Sequence, residues 1–141
     1  MKKIIAKEKN FDEIIDIWER SVKYSHKFLS LKEIEDIKEN LIEILPNFEV
    51  NLWIEDEEII GFSSDSEKHL NMLFLDPKYI GKGYGSKIIS TLIEENLINT
   101  VDVNKDNQLA KEFYLRKGFK VFRESALDDE GRPYPILHLK L

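Results

Sequence analysis

Apolar and polar positions along this chain follow two periods. Where apolar residues recur at three- and four-residue intervals, the pattern predicts a helix with one buried face. Phe11, Ile14, Ile15, Trp18 and Val22 form one such stripe, behind Asn10 and Glu13 spaced as a capping box. Ile34, Ile37, Leu41 and Leu45 form a second, behind Ser30 and Glu33 as another box, and Pro46 ends it. Ile88, Ile89, Leu92, Ile93 and Leu97 form a third. Ala110, Phe113 and Tyr114 share one side of a fourth, with cap candidates from Asn104 to Asn107 and Gly118 as its stop. Shorter apolar runs predict strands at Lys2 to Ala6, Val50 to Ile54, Ile59 to Ser63, His69 to Leu75, Thr100 to Val103, Phe119 to Glu124 and Pro135 to Leu141. Glu55-Asp56-Glu57 reads as a hairpin turn, and Asp128 to Gly131 joins the last two strands. The order β-α-α-β-β-β-α-β-α-β-β predicts an α/β (α+β) domain, a mixed sheet with helices on both faces. The unit from His69 to Val103 predicts two parallel strands with a right-handed crossover. No repeat, linker or low-complexity tract interrupts the 141 residues, which predict a single domain, 1–141.

One stretch stands out chemically, Leu70 to Ile89, LNMLFLDPKYIGKGYGSKII. The apolar run stops at Asp76-Pro77, because proline cannot donate to a sheet ladder. Gly81, Gly83 and Gly85 then lead into the third helix. Glycine admits positive φ and close approach of a ligand. Free N–H groups at a helix start favour an anion, and successive N–H groups in such a turn form a nest for phosphate oxygens. Lys78, Lys82 and Lys87 surround the turn. A phosphorylated ligand is the reading this supports; a tight connection with solvated lysines is the bland alternative. The nucleotide P-loop motif requires Gly-Lys-Ser/Thr, and the order here is Gly85-Ser86-Lys87. The dinucleotide fingerprint requires glycine where Ser86 stands.

Composition narrows the field. The chain carries a net charge of -6 and a pI of about 5.2, which argues against nucleic acid as a partner. It has no cysteine, so disulfides, cysteine metal sites and a cysteine nucleophile are excluded, and a reducing cytoplasm suits it. The N-terminus has no long apolar region and predicts no signal peptide, and no apolar run is long enough for a membrane span. His26, His69 and His138 are not spaced as a metal site and no Asp/Glu pair joins them; no metal is predicted. His138 reads as structural, and Trp18 and Trp53 as core.

A strand, Gly-x-Gly-x-Gly and a helix, then a strand ending in Asn and a helix ending in Phe-Tyr-x-x-x-Gly-Phe, resembles the GNAT superfamily of N-acetyltransferases. The matching pieces are Leu73 to Pro77, Gly81 to Gly85, Val103-Asn104, and Asn107 through Phe113-Tyr114 to Gly118-Phe119. Trp18, Ser21-Val22, His26, Phe28 to Ser30, His69, Arg123 to Asp129, Gly131 and Pro133-Tyr134-Pro135 are similar to a small bacterial branch that includes peptidyl-lysine acetyltransferases. One position departs: Ile80 stands where the family usually has Arg or Gln, which removes one side-chain contact to a pyrophosphate.

The resemblance implies a mostly antiparallel sheet whose central parallel strands splay. It implies acetyl-CoA as cosubstrate and an amine as acceptor, with transfer by direct attack in a ternary complex. Its pyrophosphate would rest on Gly81, Lys82, Gly83, Tyr84, Gly85 and Ser86, and its arm would run along Leu73, Phe74 and Leu75 as an added strand. Asn104 can bond the arm or cap the next helix. A backbone N–H near Leu73 would face the developing oxyanion. Tyr114 is assigned general acid by resemblance, with a packed core tyrosine as the alternative. His69, at the start of the cofactor strand, is the preferred base because imidazole titrates near neutrality; a water chain and His26 remain as alternatives. His26, Phe28 and Tyr134 are the residues expected at the acceptor. A non-catalytic CoA-binding module of the same fold and a nucleotide-phosphate binder are the competing functions. Monomer and homodimer both fit the sequence.

Overall fold

A computed structural model describes all of residues 1–141. Its strands are β1 Lys2–Ile5, β2 Asn51–Glu55, β3 Glu58–Ser66, β4 His69–Leu75, β5 Thr100–Asn104, β6 Lys120–Ser125 and β7 Ile136–Lys140. Its helices are α1 Phe11–Ser25, α2 Leu31–Ile44, α3 Tyr84–Glu94 and α4 Gln108–Arg116. The seven strands form one sheet in the order β1-β2-β3-β4-β5-β7-β6. All neighbours are antiparallel except β4 and β5. The expected mixed sheet with a central parallel pair is therefore present.

The two helical pairs cover opposite faces, as the two stripe sets predict. Ile14, Ile17, Trp18, Ile34, Leu41 and Leu45 pack with Leu52 and Phe62 on one face. Ile88, Ile89, Leu92, Tyr114 and Phe119 pack with Trp53, Val101, Val103, Leu137 and Leu139 on the other. Both tryptophans are buried, and Trp53 Nε1–H donates to Ser63 Oγ at 2.8 Å. Removing these apolar surfaces from water is the main favourable term in folding.

Local signals act largely as expected. Ser30 Oγ accepts from Glu33 N–H at 3.1 Å while Glu33 Oε1 accepts from Ser30 N–H at 3.0 Å, a reciprocal box that starts α2. Asn10 is the exception. Its residue is helical and its Oδ1 accepts from Lys7 N–H at 2.9 Å, so it closes a 3-10 turn before α1 rather than capping the helix with Glu13. The β2–β3 turn is Asp56-Glu57 and the β3–β4 turn is Glu67-Lys68, with both central residues at positive φ in each. Such turns match the twist of the strands they join. An ion pair from Arg20 to the buried Asp76, at 2.7 Å, ties α1 to the end of β4 where the glycine turn begins.

Candidate active site

β4 and β5 pair at only two places, His69 with Thr100 and Leu70 with Val101. Just beyond, the β3–β4 register jumps between Ser64 and Asp65, and Asn71 is left without a partner. A bulge of this kind bends its strand, and here the two central strands part. The opening is a cleft of about 440 Å³, a size suited to a small-molecule arm. His26, His69, Leu73, Phe74, Asn104 and Tyr114 all line it. So do Asn71, Asp102, Asn107 and Asp129, which the sequence reading did not single out.

Tyr114 reaches the cleft from α4. Asn107 starts that helix by accepting from Ala110 N–H at 3.2 Å, so Asn107, not Asn104, is the cap. The ring of Tyr114 is wedged edge-on between Phe113 and Phe119, at 5.0 and 5.7 Å. It is 7% exposed. Burial pushes its phenol well above the ordinary tyrosine range. The hydroxyl therefore carries its proton throughout the neutral range.

His26 closes another wall. Ser25 Oγ–H donates to the Ser21 carbonyl at 2.9 Å, so its oxygen accepts from His26 Nδ1–H, also at 2.9 Å. His26 Nε2 faces Asn107 Nδ2 at 3.4 Å. Burial pushes this imidazole down to about 4 from 6.5. The unfolded chain then binds more protons than the folded one between those two values, so stability present above pH 6.5 is lost as the pH falls toward 4. The expected loss is about 3 kcal/mol across the window. Urea unfolding at pH 7 and pH 4.5 measures it. A His26→Gln protein with the same pH dependence as the parent would refute the assignment.

His69 and His138 are joined through a single carboxylate. Asp102 lies between them, its Oδ1 2.7 Å from His138 Nδ1 and its Oδ2 3.6 Å from His69 Nε2. His69 Nδ1 is 2.7 Å from Thr100 Oγ1, and His138 Nε2 is 2.7 Å from Ser125 Oγ. The alternation of β5 explains it: Val101 and Val103 are buried on the α3–α4 side, which turns Asp102 to the other face.

The glycine turn sits at the far end of β4. Gly81 and Gly83 hold φ of 82° and 86°, and the space above both is open. Gly85 lies within the first turn of α3, where an added Cβ would be 3.5 Å from Leu75 and 3.6 Å from Phe113. Lys78 and Lys82 lie over the Tyr79 ring, and Lys87 over Tyr84. Ser86 Oγ accepts from Lys117 Nζ at 2.9 Å. Leu75 and residues 81–86 do not line the cleft itself, nor do Phe28 and Tyr134. Phe28 stacks on Tyr134 at 5.3 Å and on His26 at 5.5 Å, and Tyr134 O–H donates to Glu33 Oε1 at 2.7 Å. These two rings stand beside His26 rather than in the cleft.

The family described as the Acetyltransferase (GNAT) domain matches residues 17–134. The chain belongs to the GNAT acetyltransferase family. It is 36% identical over 131 residues to the peptidyl-lysine N-acetyltransferase YjaB of Salmonella typhimurium, covering 91% of this chain and 89% of that protein. The solution structure of apo-form YjaB from Escherichia coli superposes with a TM-score of 0.91 at 31% identity, covering 99% of this chain and 95% of the other. PaiA N-acetyltransferase from Thermoplasma acidophilum, solved in complex with coenzyme A, shares the fold at a TM-score of 0.69 and 21% identity, over the full length of both chains.

Within this GNAT fold the cleft between β4 and β5 and the glycine turn at the start of α3 lie at the two ends of one apolar strand, Leu73 to Leu75. Asn104 lines the cleft, and its side chain does not cap the helix that follows.

Proposed function

We propose that this chain is an acetyl-CoA-dependent N-acetyltransferase that acts on a primary amine, a protein lysine or N-terminus or a small amine, by direct attack in a ternary complex. The 141 residues act as one catalytic domain, and the cysteine-free composition suits the cytoplasm. The observation that carries the reading is the Tyr114 side chain lining the cleft where β4 leaves β5.

The residues present fit the cosubstrate. Gly81 and Gly83 keep their positive φ and the open space above them, so backbone N–H groups at the start of α3 are free to hold phosphate. Lys78, Lys82 and Lys87 supply positive charge around a turn that has Ile80 where the family usually has a polar residue. The half-exposed Leu73, Phe74 and Leu75 offer the open side of β4 to an extended arm. When bound, acetyl-CoA supplies the acetyl thioester.

The protein's own groups meet the proton requirements. A lysine-like amine has a pKa near ~10.4 and must lose a proton before it attacks. His69 accepts that proton at an imidazole nitrogen on the cleft wall. Tyr114 holds a proton on its hydroxyl for the departing sulfur. The bulge at Asn71 takes that residue out of the β3–β4 ladder beside the cleft, and on this reading a backbone N–H near Leu73 stabilises negative charge on oxygen.

Calorimetric titration with acetyl-CoA, followed by acetylation across an amine panel, tests the assignment. Binding with acetylation supports it; binding without transfer to any amine would favour a CoA-binding module. Gly83→Ala is expected to weaken CoA about tenfold, because a left-handed alanine costs roughly 1–2 kcal/mol. An unchanged Kd would show that the turn does not hold the phosphates.

A further inference from the structure

Four side chains from four neighbouring strands form a continuous chain on the cleft face of the sheet. His69 is on β4, Asp102 on β5, His138 on β7 and Ser125 at the end of β6. We propose that Asp102 is the positioning residue for His69, and that His138 and Ser125 hold Asp102 in place, so that a proton taken in the cleft is stabilised by a carboxylate fixed from behind. This rests on the reading of His69 as the base.

The hydrogen-bond pattern sets the roles. Thr100 Oγ1–H points to the Lys68 carbonyl at 3.5 Å, so the Thr100 oxygen accepts from His69 Nδ1–H at 2.7 Å. The lone pair of His69 is then on Nε2, 3.6 Å from Asp102 Oδ2. When an acceptor N–H breaks and the proton forms an Nε2–H bond, the new imidazolium lies against a carboxylate. An ionised carboxylate only accepts, so His138 Nδ1–H donates to Asp102 Oδ1 and Ser125 O–H donates to His138 Nε2. Asp102 and His138 are direct partners across the β5–β7 ladder, which sets the carboxylate's height in the sheet. A carboxylate that turned away to solvent would leave His138 Nδ1 unpaired in a nearly buried position, 9% exposed.

Few other charges act on His69. β3 places Ser66 opposite it. The end of α2 and the turn after it present Ile44 and Phe48 to the cleft, and the remaining titratable groups on the cleft wall are His26, Tyr114 and Asp129. Lys68 precedes it in the chain, and Arg123 stands at the outer end, 3.4 Å from Ser125 Oγ.

NMR titration of the His69 ring in the full chain is the direct test. Asp102→Asn is expected to lower the His69 midpoint, because an adjacent opposite charge favours the imidazolium. The acid limb of kcat/KM should move with it. kcat/KM should fall about tenfold or more, and by much less when the same change is made in a His69→Gln background. His138→Phe, which leaves the Asp102 charge but removes the N–H that holds its carboxylate, should reduce kcat about threefold while moving the midpoint far less. An unmoved midpoint in Asp102→Asn, or losses that add fully in the double variant, would overturn the proposal. Should His69→Gln turn over like the parent, the base assignment fails, and the midpoint alone still decides whether Asp102 charges His69. If Asp102→Asn does not fold, Ser125→Ala and His138→Phe carry the test, and full activity with an unmoved midpoint in both overturns the supporting role.

Discussion

Tyr114→Phe is expected to lower kcat about a hundredfold while Kd for acetyl-CoA stays within about twofold. The change removes one oxygen and leaves the ring. That ring is held by Phe113 and Phe119, and the phenol bonds to nothing else in the protein, so stability should hardly change. A tyrosine kept only for packing would tolerate the loss in full. Stopped assays of initial rate at saturating cosubstrate, with calorimetry for Kd, separate the two. Turnover equal to the parent would remove Tyr114 from the chemistry. A weakened Kd with unchanged kcat would make it a binding residue instead. The pH profile adds a check, since burial raises this phenol and the parent should show no loss of activity from its ionisation below pH 10.

Gly61→Ala should cost about 3 kcal/mol and weaken cosubstrate binding as well. Gly61 lies opposite Leu75, the last residue of β4. A methyl group there would collide with the Phe74 carbonyl oxygen and sit 2.9 Å from the Leu75 side chain. The oxygen is backbone, so no rotamer relieves the clash. β4 itself must shift, and with it the strand that leads to the glycine turn. Urea denaturation measures the stability term and titration with CoA the binding term. A midpoint equal to the parent would show that β3 and β4 separate more easily than their pairing implies.

The helices were legible because their causes are local. The Ser30–Glu33 box, the cap at Asn107 and the stop at Gly118 each act within a few residues of themselves. Asn10 misled because the same oxygen can serve either of two adjacent turns, and the 3-10 turn took it. The glycine turn and Tyr114 were legible from spacing joined to family resemblance. Gly61 was not, since nothing in a strand pattern marks which residue will meet a carbonyl on its neighbour.

Asp102 shows the limit most clearly. Its alternation with Val101 and Val103 placed it on the polar face of β5, and that much can be read from TVDV. Its partners could not be read. His138 is 36 residues further on and becomes its neighbour only because β7 inserts between β5 and β6. Periodicity and capping are short-range, so the sequence alone determined the elements, their faces and the glycine turn before α3. Strand order, register and the bulge at Asn71 come from long-range pairing that closes many residues of chain at once. Those decided where the sheet opens, which histidine meets which carboxylate, and what stands in the cleft beside Tyr114.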